Sequence, residues 1–415
     1  MGALLDLSAA VLAGEEAIED HHPFSPTNEL DEVAPGVAMV SSFANVAAVD
    51  TGAGLCLVDT GSVFTAGAVR DVLQGWSTER ATTAVYTHGH IDHCMGTGAF
   101  EADGPVEVIA HEATNDRFDR YIRTAGYNGV INQRQFRAPG LRWPTEYRRA
   151  DRTFRDELAV DLGGDRAELH HARGETDDHT WVWWPGRRVL CTGDLIIWCS
   201  PNAGNPQKVQ RYALEWAEAL RAMAALDPEV LLPGHGLPIA GAADCRMVLE
   251  DTAELLESLV GQTLALMNDG ARLDDNLHTV QPPAALVAKP YLRPIYDEPE
   301  FVVRNTWRLY GGWYDGNPAR LHPPADAALA AEVASLAGGA GALATRAVAA
   351  ADAGDLRLAG QLAEWAAQAA PDDPAVHEAR AEVNRRRRDD ATSLMARGIY
   401  TWAEDESRRA LGPVE

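Results

Sequence analysis

The sequence predicts an α/β domain over residues 1–245 followed by an all-α region to the C-terminus. Three observations carry that reading. Short β-branched runs cut by Gly and Asp alternate with amphipathic stretches from about Val33 to Cys245. Such alternation makes sheets covered by helices. Beyond Cys245 the strand signal stops and MVLEDTAELLESLVGQTLALMNDG reads as one long helix closed by Gly270. From about Ala325 the chain is Ala-rich and helical in pattern.

The first strands expected are GVAMVSSF, NVAAVDTGAGLCLVDTG and TTAVYTHGH, the second folded as a hairpin turned at Thr51 to Gly54. VFTAGAVRDVLQGW has helical spacing between two of them. VEVIAHEAT is a strand running into a helix. RAELHHARG, DDHTWVWWPGRRVLCTGDLI and PEVLLPGHG complete the strands, with Pro185-Gly186 at a turn. YALEWAEALRAMAAL is an amphipathic helix between the last two. A polar and aromatic insertion containing Tyr127, Asn128, Asn132, Arg134, Phe136 and Trp143 follows the helix at His111. Residues 246–324 form a separate helical and aromatic segment. In 325–415, TRAVAAADAGDLRLAGQLAEWAAQAAPDDPAVHEAR has the small packing residues and Gly-Asp turn of a tetratricopeptide-like helical hairpin. One or two such units cannot form a solenoid alone, so they are expected to pack on the catalytic domain or on a second subunit.

Bulk properties exclude several function classes. A net charge of −25 disfavours nucleic acid and anionic membrane surfaces as partners. No apolar run approaches the length of a spanning helix, and the acidic N-terminus is unlike a signal peptide. Five cysteines without paired spacing read as reduced thiols, so a cytoplasmic protein is expected.

The chemistry concentrates in THGHIDHCMG, where His88, His90, Asp92 and His93 follow a strand within six positions. Imidazole and carboxylate together suit zinc, iron or manganese. One loop cannot complete two coordination spheres, so other strand ends must contribute. HHARGETDDH, CTGDL and PGHG are turns after apolar runs, and they offer Glu175, Asp194 and His235. Cys94, beside the loop, reads as a small core residue.

These four motifs, in this order, resemble the metallo-β-lactamase superfamily over residues 33–245. The resemblance implies an αββα sandwich with two divalent metal ions at one edge. By position, His88, His90 and Glu175 would hold one ion, Asp92, His93 and His235 the other, and Asp194 would bridge. His more often fills the Glu175 position, and His171 and His179 are the alternatives on either side of it. A carboxylate there shifts the preference from zinc towards iron or manganese. The implied mechanism is attack by a metal-bridging hydroxide, with Asp92 or Asp194 orienting it and taking its proton.

YGGWYDGNPARLHPP resembles the dimerisation region of the alkylsulfatase-like branch, which implies a homodimer. The same resemblance places Asn202, Asn205, Lys208 and Arg211 in a substrate loop before a helix, with Trp313 and Tyr314 as further candidate contacts. A solvated helix start serves equally for Lys208 and Arg211, and a packed turn for Trp313 and Tyr314. Two departures separate this sequence from the sulfatases. The sterol-carrier-like domain does not follow, and Gly204 to Lys208 replaces a Thr-Leu-Arg-Gly stretch whose arginine suits a sulfate. Asp194 also matches the thioesterase and lactamase branches, where sulfatases tend to carry Glu. The sequence therefore slightly favours an acyl-coenzyme A type thioester over an alkyl sulfate; both are anionic or amphiphilic esters. A non-hydrolytic di-iron redox or binding protein is a remote third reading, since no flavodoxin-like domain follows.

Overall fold

The computed structural model describes residues 2–412. The described residues divide into two compact units, 2–125 with 144–312 and 126–143 with 313–412.

In the first unit, one sheet runs in sequence order through β1 (Leu30–Ala34), β2 (Val37–Val40), β3 (Val46–Asp50), β4 (Leu55–Val58), β5 (Ala81–Val85), β6 (Glu107–His111) and β7 (Arg152–Phe154). The first four strands pair antiparallel and the last three continue parallel. The second sheet comprises β8 (Glu157–Leu162), β9 (Asp165–His171), β10 (Thr180–Trp184), β11 (Val189–Gly193), β12 (Val230–Pro233) and β13 (Ile239–Ala240). Hydrogen bonds tie the two sheets together. Thr180 N donates to Thr87 O at 2.6 Å, and Arg187 Nη2 donates to Asp50 O at 2.8 Å.

The predicted hairpin forms between β3 and β4, with Gly52 and Gly54 at positive φ and Thr51 Oγ1 donating to Gly54 O. Positive φ is cheap only for glycine, which is why the turn falls where the Gly residues are. Strands β2 to β6 are buried on both faces or nearly so, because helices such as Ala66–Trp76 cover the outer side. Cys94 lies in this core, as its sequence context indicated, and all five cysteines are buried and unpaired. The long helix spans Ala242–Asn268, and Gly270 at φ 80° ends it with Ala271 N bonding back to Leu266 O.

The second unit contains the expected helical hairpin, Ala340–Asp352 and Leu356–Ala369, joined at Gly354 with Asp355 accepting from Leu358 N. Pro374 opens the next helix, Pro374–Asp390, under an Asp373 cap. The insertion after the His111 helix forms helix Ala125–Phe136, most of which belongs to this unit. Gly398 of helix Leu394–Ala410 meets its Gln135 carbonyl so closely that a Cβ would collide. Among the described residues no single helix is long and apolar enough to cross a membrane.

Candidate metal centre

All seven predicted ligand residues converge at the carboxyl ends of strands in the first unit. β5 delivers His88, His90, Asp92 and His93; the turn after β9 delivers Glu175; β11 delivers Asp194; β12 delivers His235. They fall into two groups of mutually close ligand atoms, His88, His90, Glu175 and Asp194, and Asp92, His93 and His235. Asp194 also reaches the second group. Its Oδ1 is 3.1 Å from His93 Nε2 and 3.4 Å from His235 Nε2, while Oδ2 is 3.7 Å from His88 Nε2. Asp92 Oδ2 lies 3.8 Å from His93 Nε2 and 3.7 Å from His235 Nε2.

The donor set suits a divalent cation pair, and the satisfaction of its atoms points the same way. Glu175 Oε2 is buried and makes no hydrogen bond, and the buried His93 Nε2 and Asp194 Oδ1 face one another across the cluster at 3.1 Å. Buried polar atoms without partners are rare in native folds because each forfeits its hydration. His88 Nε2 sits 2.7 Å from His90 Nδ1 beside the Asp194 carboxylate. Desolvation, then the neighbouring imidazoles, push His88 well below its ordinary range. His90 is lowered likewise by desolvation and the cations Arg211 and Arg117. Neutral imidazole is the form that donates a lone pair to a metal.

A second layer aims these rings. Asp59, at φ 62° after β4, accepts from Thr87 N at 2.7 Å and Thr87 Oγ1 at 2.8 Å, and its Oδ2 meets His93 Nδ1 at 2.7 Å. The contact fixes the ring so that Nε2 faces the site. His235 Nδ1 is held by the Phe43 carbonyl, and Asn45 Nδ2 pins the His235 turn by donating to Pro233 O and Gly236 O. Gly89 N donates to Asp178 Oδ2 at 2.9 Å, and Asp178 Oδ1 takes Arg117 Nε at 2.7 Å. Gly234 must lack a side chain, since a Cβ would collide with Asp194 Oδ1. The sequence reading missed Asp59, Asp178 and Arg117. The Asp-Thr-Gly turn after β4 was the available signal for Asp59; nothing local marks Arg117.

His171 and His179, the alternatives to Glu175, turn elsewhere. His171 Nδ1 is 2.9 Å from His179 O, and His179 Nε2 is 3.0 Å from Thr192 O. Gly174 sets the turn that presents Glu175, with no room for a Cβ against Leu195. Glu175 Oε1 accepts from Asn202 Nδ2 and forms an ion pair with Arg211 Nη1 at 2.6 Å, while that nitrogen donates to the Glu175 carbonyl.

The other sequence candidates separate. Asn202 and Asn205 are buried, and Asn202 Oδ1 and Asn205 Nδ2 make no hydrogen bond. Asp297 Oδ2 holds their loop through Gly204 N at 2.8 Å and Asn205 N at 3.1 Å. Lys208 is half-buried, and desolvation lowers its ammonium to about 8 against the opposing pull of Asp92. Arg211 is no solvated helix start: it is 2% exposed. Desolvation lowers its guanidinium to about 10, so it stays charged at neutral pH. Trp313 and Tyr314 are exposed residues of the second unit. Around His235, Phe24 packs at 4.2 Å between ring centroids, and Tyr296 stacks on Phe24 at 4.0 Å.

Residues 41–235 match the family model for the metallo-beta-lactamase superfamily, and residues 273–410 match that for alkyl sulfatase dimerisation. A linear primary-alkylsulfatase of Pseudomonas sp. (strain ATCC 19151) is 27% identical over 80% of this chain and 68% of its own length. An (R)-specific secondary-alkylsulfatase of Pseudomonas sp. is 29% identical over 85% of this chain and 58% of its own. The solved structure of the stereoselective inverting sec-alkylsulfatase Pisa1 from Pseudomonas sp. superposes with a TM-score of 0.84 at 25% identity. That superposition covers 93% of this chain and 66% of the other. The chain thus spans roughly three fifths to two thirds of the length of these relatives.

Proposed function

We propose, on the premise that this chain belongs to the metallo-β-lactamase superfamily and continues into an alkylsulfatase-type dimerisation region, that it is a metal-dependent hydrolase of alkyl sulfate esters acting as a homodimer. The observation that carries the reading is the joining of those two regions in one chain, the first of which carries a cluster of His, Asp and Glu ligands. The slight sequence preference for a thioester finds no counterpart among these relatives, which are named as alkylsulfatases.

In this reading His88, His90 and Glu175 hold one divalent cation, Asp92, His93 and His235 the other, and Asp194 reaches both. When bound, the cations would supply Lewis acidity towards an ester oxygen and a water. Zinc, iron and manganese all accept this donor set. The chain's own residues do the rest. Asp59 and the Phe43 carbonyl hold the ring tautomers of His93 and His235. Asp92, the least buried of the carboxylates, is the group placed to hold a proton from water. Asn205 Nδ2 and Arg211 Nε are buried donors without partners, suited to the oxygens of an anionic head group. Phe24, Phe43 and Tyr296 around His235 are suited to an apolar chain. Lys208 adds a positive charge near Asp92 against the net charge of −25.

A panel of medium-chain alkyl sulfates and acyl-coenzyme A thioesters, assayed with zinc-, iron- and manganese-loaded protein, tests the substrate. Release of inorganic sulfate is expected. Turnover of thioesters with none of the sulfates would reverse the assignment.

A further inference from the structure

Glu175 brings a negative charge to a ligand position where histidine would bring none, and the structure places one cation against it. Arg211 is 2% exposed, and its Nη1 lies 2.6 Å from Glu175 Oε1 and 2.5 Å from the Glu175 carbonyl. Two contacts from one guanidinium nitrogen to the carboxylate and to its own backbone fix the rotamer as well as the charge. Asn202 Nδ2 loads the same Oε1, leaving Oε2 buried and without a hydrogen bond. The backbone of Arg211 is itself anchored, its carbonyl accepting from Asn305 Nδ2 at 2.9 Å.

The other buried charges nearby are occupied. Arg117 pairs with Asp177 and Asp178. Asp297 spends its oxygens on the backbone N–H groups of Gly204, Asn205 and Glu298. Among the described residues Glu175 is the carboxylate that Arg211 contacts as an ion pair. A buried guanidinium with no anion is strongly disfavoured, so the two charges form a unit. Glutamate plus arginine carries the same net charge as one neutral histidine.

We infer that Arg211 is a positioning residue that compensates the charge of Glu175 and fixes its carboxylate at the ligand position. The inference rests on the reading of Glu175 as a metal ligand. It makes the two residues exchangeable only together.

The test compares wild-type protein with Glu175→His, the double variant Glu175→His with Arg211→Met, and Arg211→Lys. Bound metal per chain is measured by elemental analysis, cobalt affinity by titration, and ligand geometry by the visible spectrum of the cobalt form. Glu175→His alone leaves the guanidinium unpaired beside a dication, and first-position affinity should fall roughly 10- to 100-fold. The double variant should recover most of that loss, and Arg211→Lys should keep two metals with a shifted cobalt spectrum. Equal cobalt affinity in Glu175→His and the double variant would overturn the inference, as would a double variant weaker than the single. If Glu175→His fails to fold, a double variant that folds and binds two cobalt ions supports the inference, and Arg211→Lys binding one or none opposes it. Wild-type protein binding fewer than two metals would instead defeat the metal-site reading itself.

Discussion

At the scale of single residues, the ligands and the groups that aim them obey different rules of visibility. His88, His90, Asp92 and His93 stand together because one loop presents them, and Glu175, Asp194 and His235 each follow an apolar run in a recognisable turn. Asp59, Asp178 and Arg117 act across the fold, 28 to 89 positions from most of what they hold, so no local spacing could pair them. Arg211 was visible as a cation, but its burial against Glu175 was not. Two predictions belong here. Asp59→Ala removes the partner of His93 Nδ1 and should cost roughly 10- to 100-fold in metal affinity, read by competition with a chromogenic chelator. Gly234→Ala should lower bound metal and turnover together, because its Cβ displaces Asp194. Unchanged metal content in that variant would count against Asp194 as a ligand.

At the scale of elements, the buried strands were legible and the edge strands were not. β2 to β6 and β10 to β12 are runs of Val, Leu, Ala and Trp with few charges. β1 (LDEVA) and β8 (ELAVDL) carry exposed Glu32, Glu157 and Asp161, as edge strands do to discourage pairing with other chains, and these charges together with buried Asp31 dilute the apolar pattern. The Asn202 to Lys208 loop owes its shape to a carboxyl outside it. Asp297 is fully buried, and desolvation pushes it up to about 7 against its hydrogen bonds from the loop backbone. An acid raised on folding binds its proton more tightly in the native state. Its penalty is therefore absent below the unfolded value near 4, grows as pH rises, and levels off above about 7. Asp297→Asn should remove this slope, a difference on the order of 3 kcal/mol between about pH 5 and about pH 8 in denaturant melts. Parallel pH dependence in both proteins would show that Asp297 does not titrate as described.

On the scale of the whole molecule, the chain has the expected fold class, two sheets with helices followed by an all-α region, but residues 246–312, expected as a separate segment, cluster with the α/β part. Contact, however, draws helix Ala125–Phe136 into the C-terminal unit, across nearly two hundred residues of intervening chain. Periodicity reports which face of a helix is apolar but not which distant helix receives it. The match to a dimerisation region over 273–410 leads to the expectation of a homodimer, checked by multi-angle light scattering; a monomer at micromolar concentration would contradict it. The central claim is that four separate strand ends assemble a two-metal hydrolytic site. Its most direct test is diffraction from metal-loaded crystals at the absorption edge of the bound metal. The account predicts two anomalous peaks per chain, one bounded by His88, His90 and Glu175 and one by Asp92, His93 and His235, with Asp194 between them. No peak within that cluster, or a single peak ligated by His171 or His179, would contradict it.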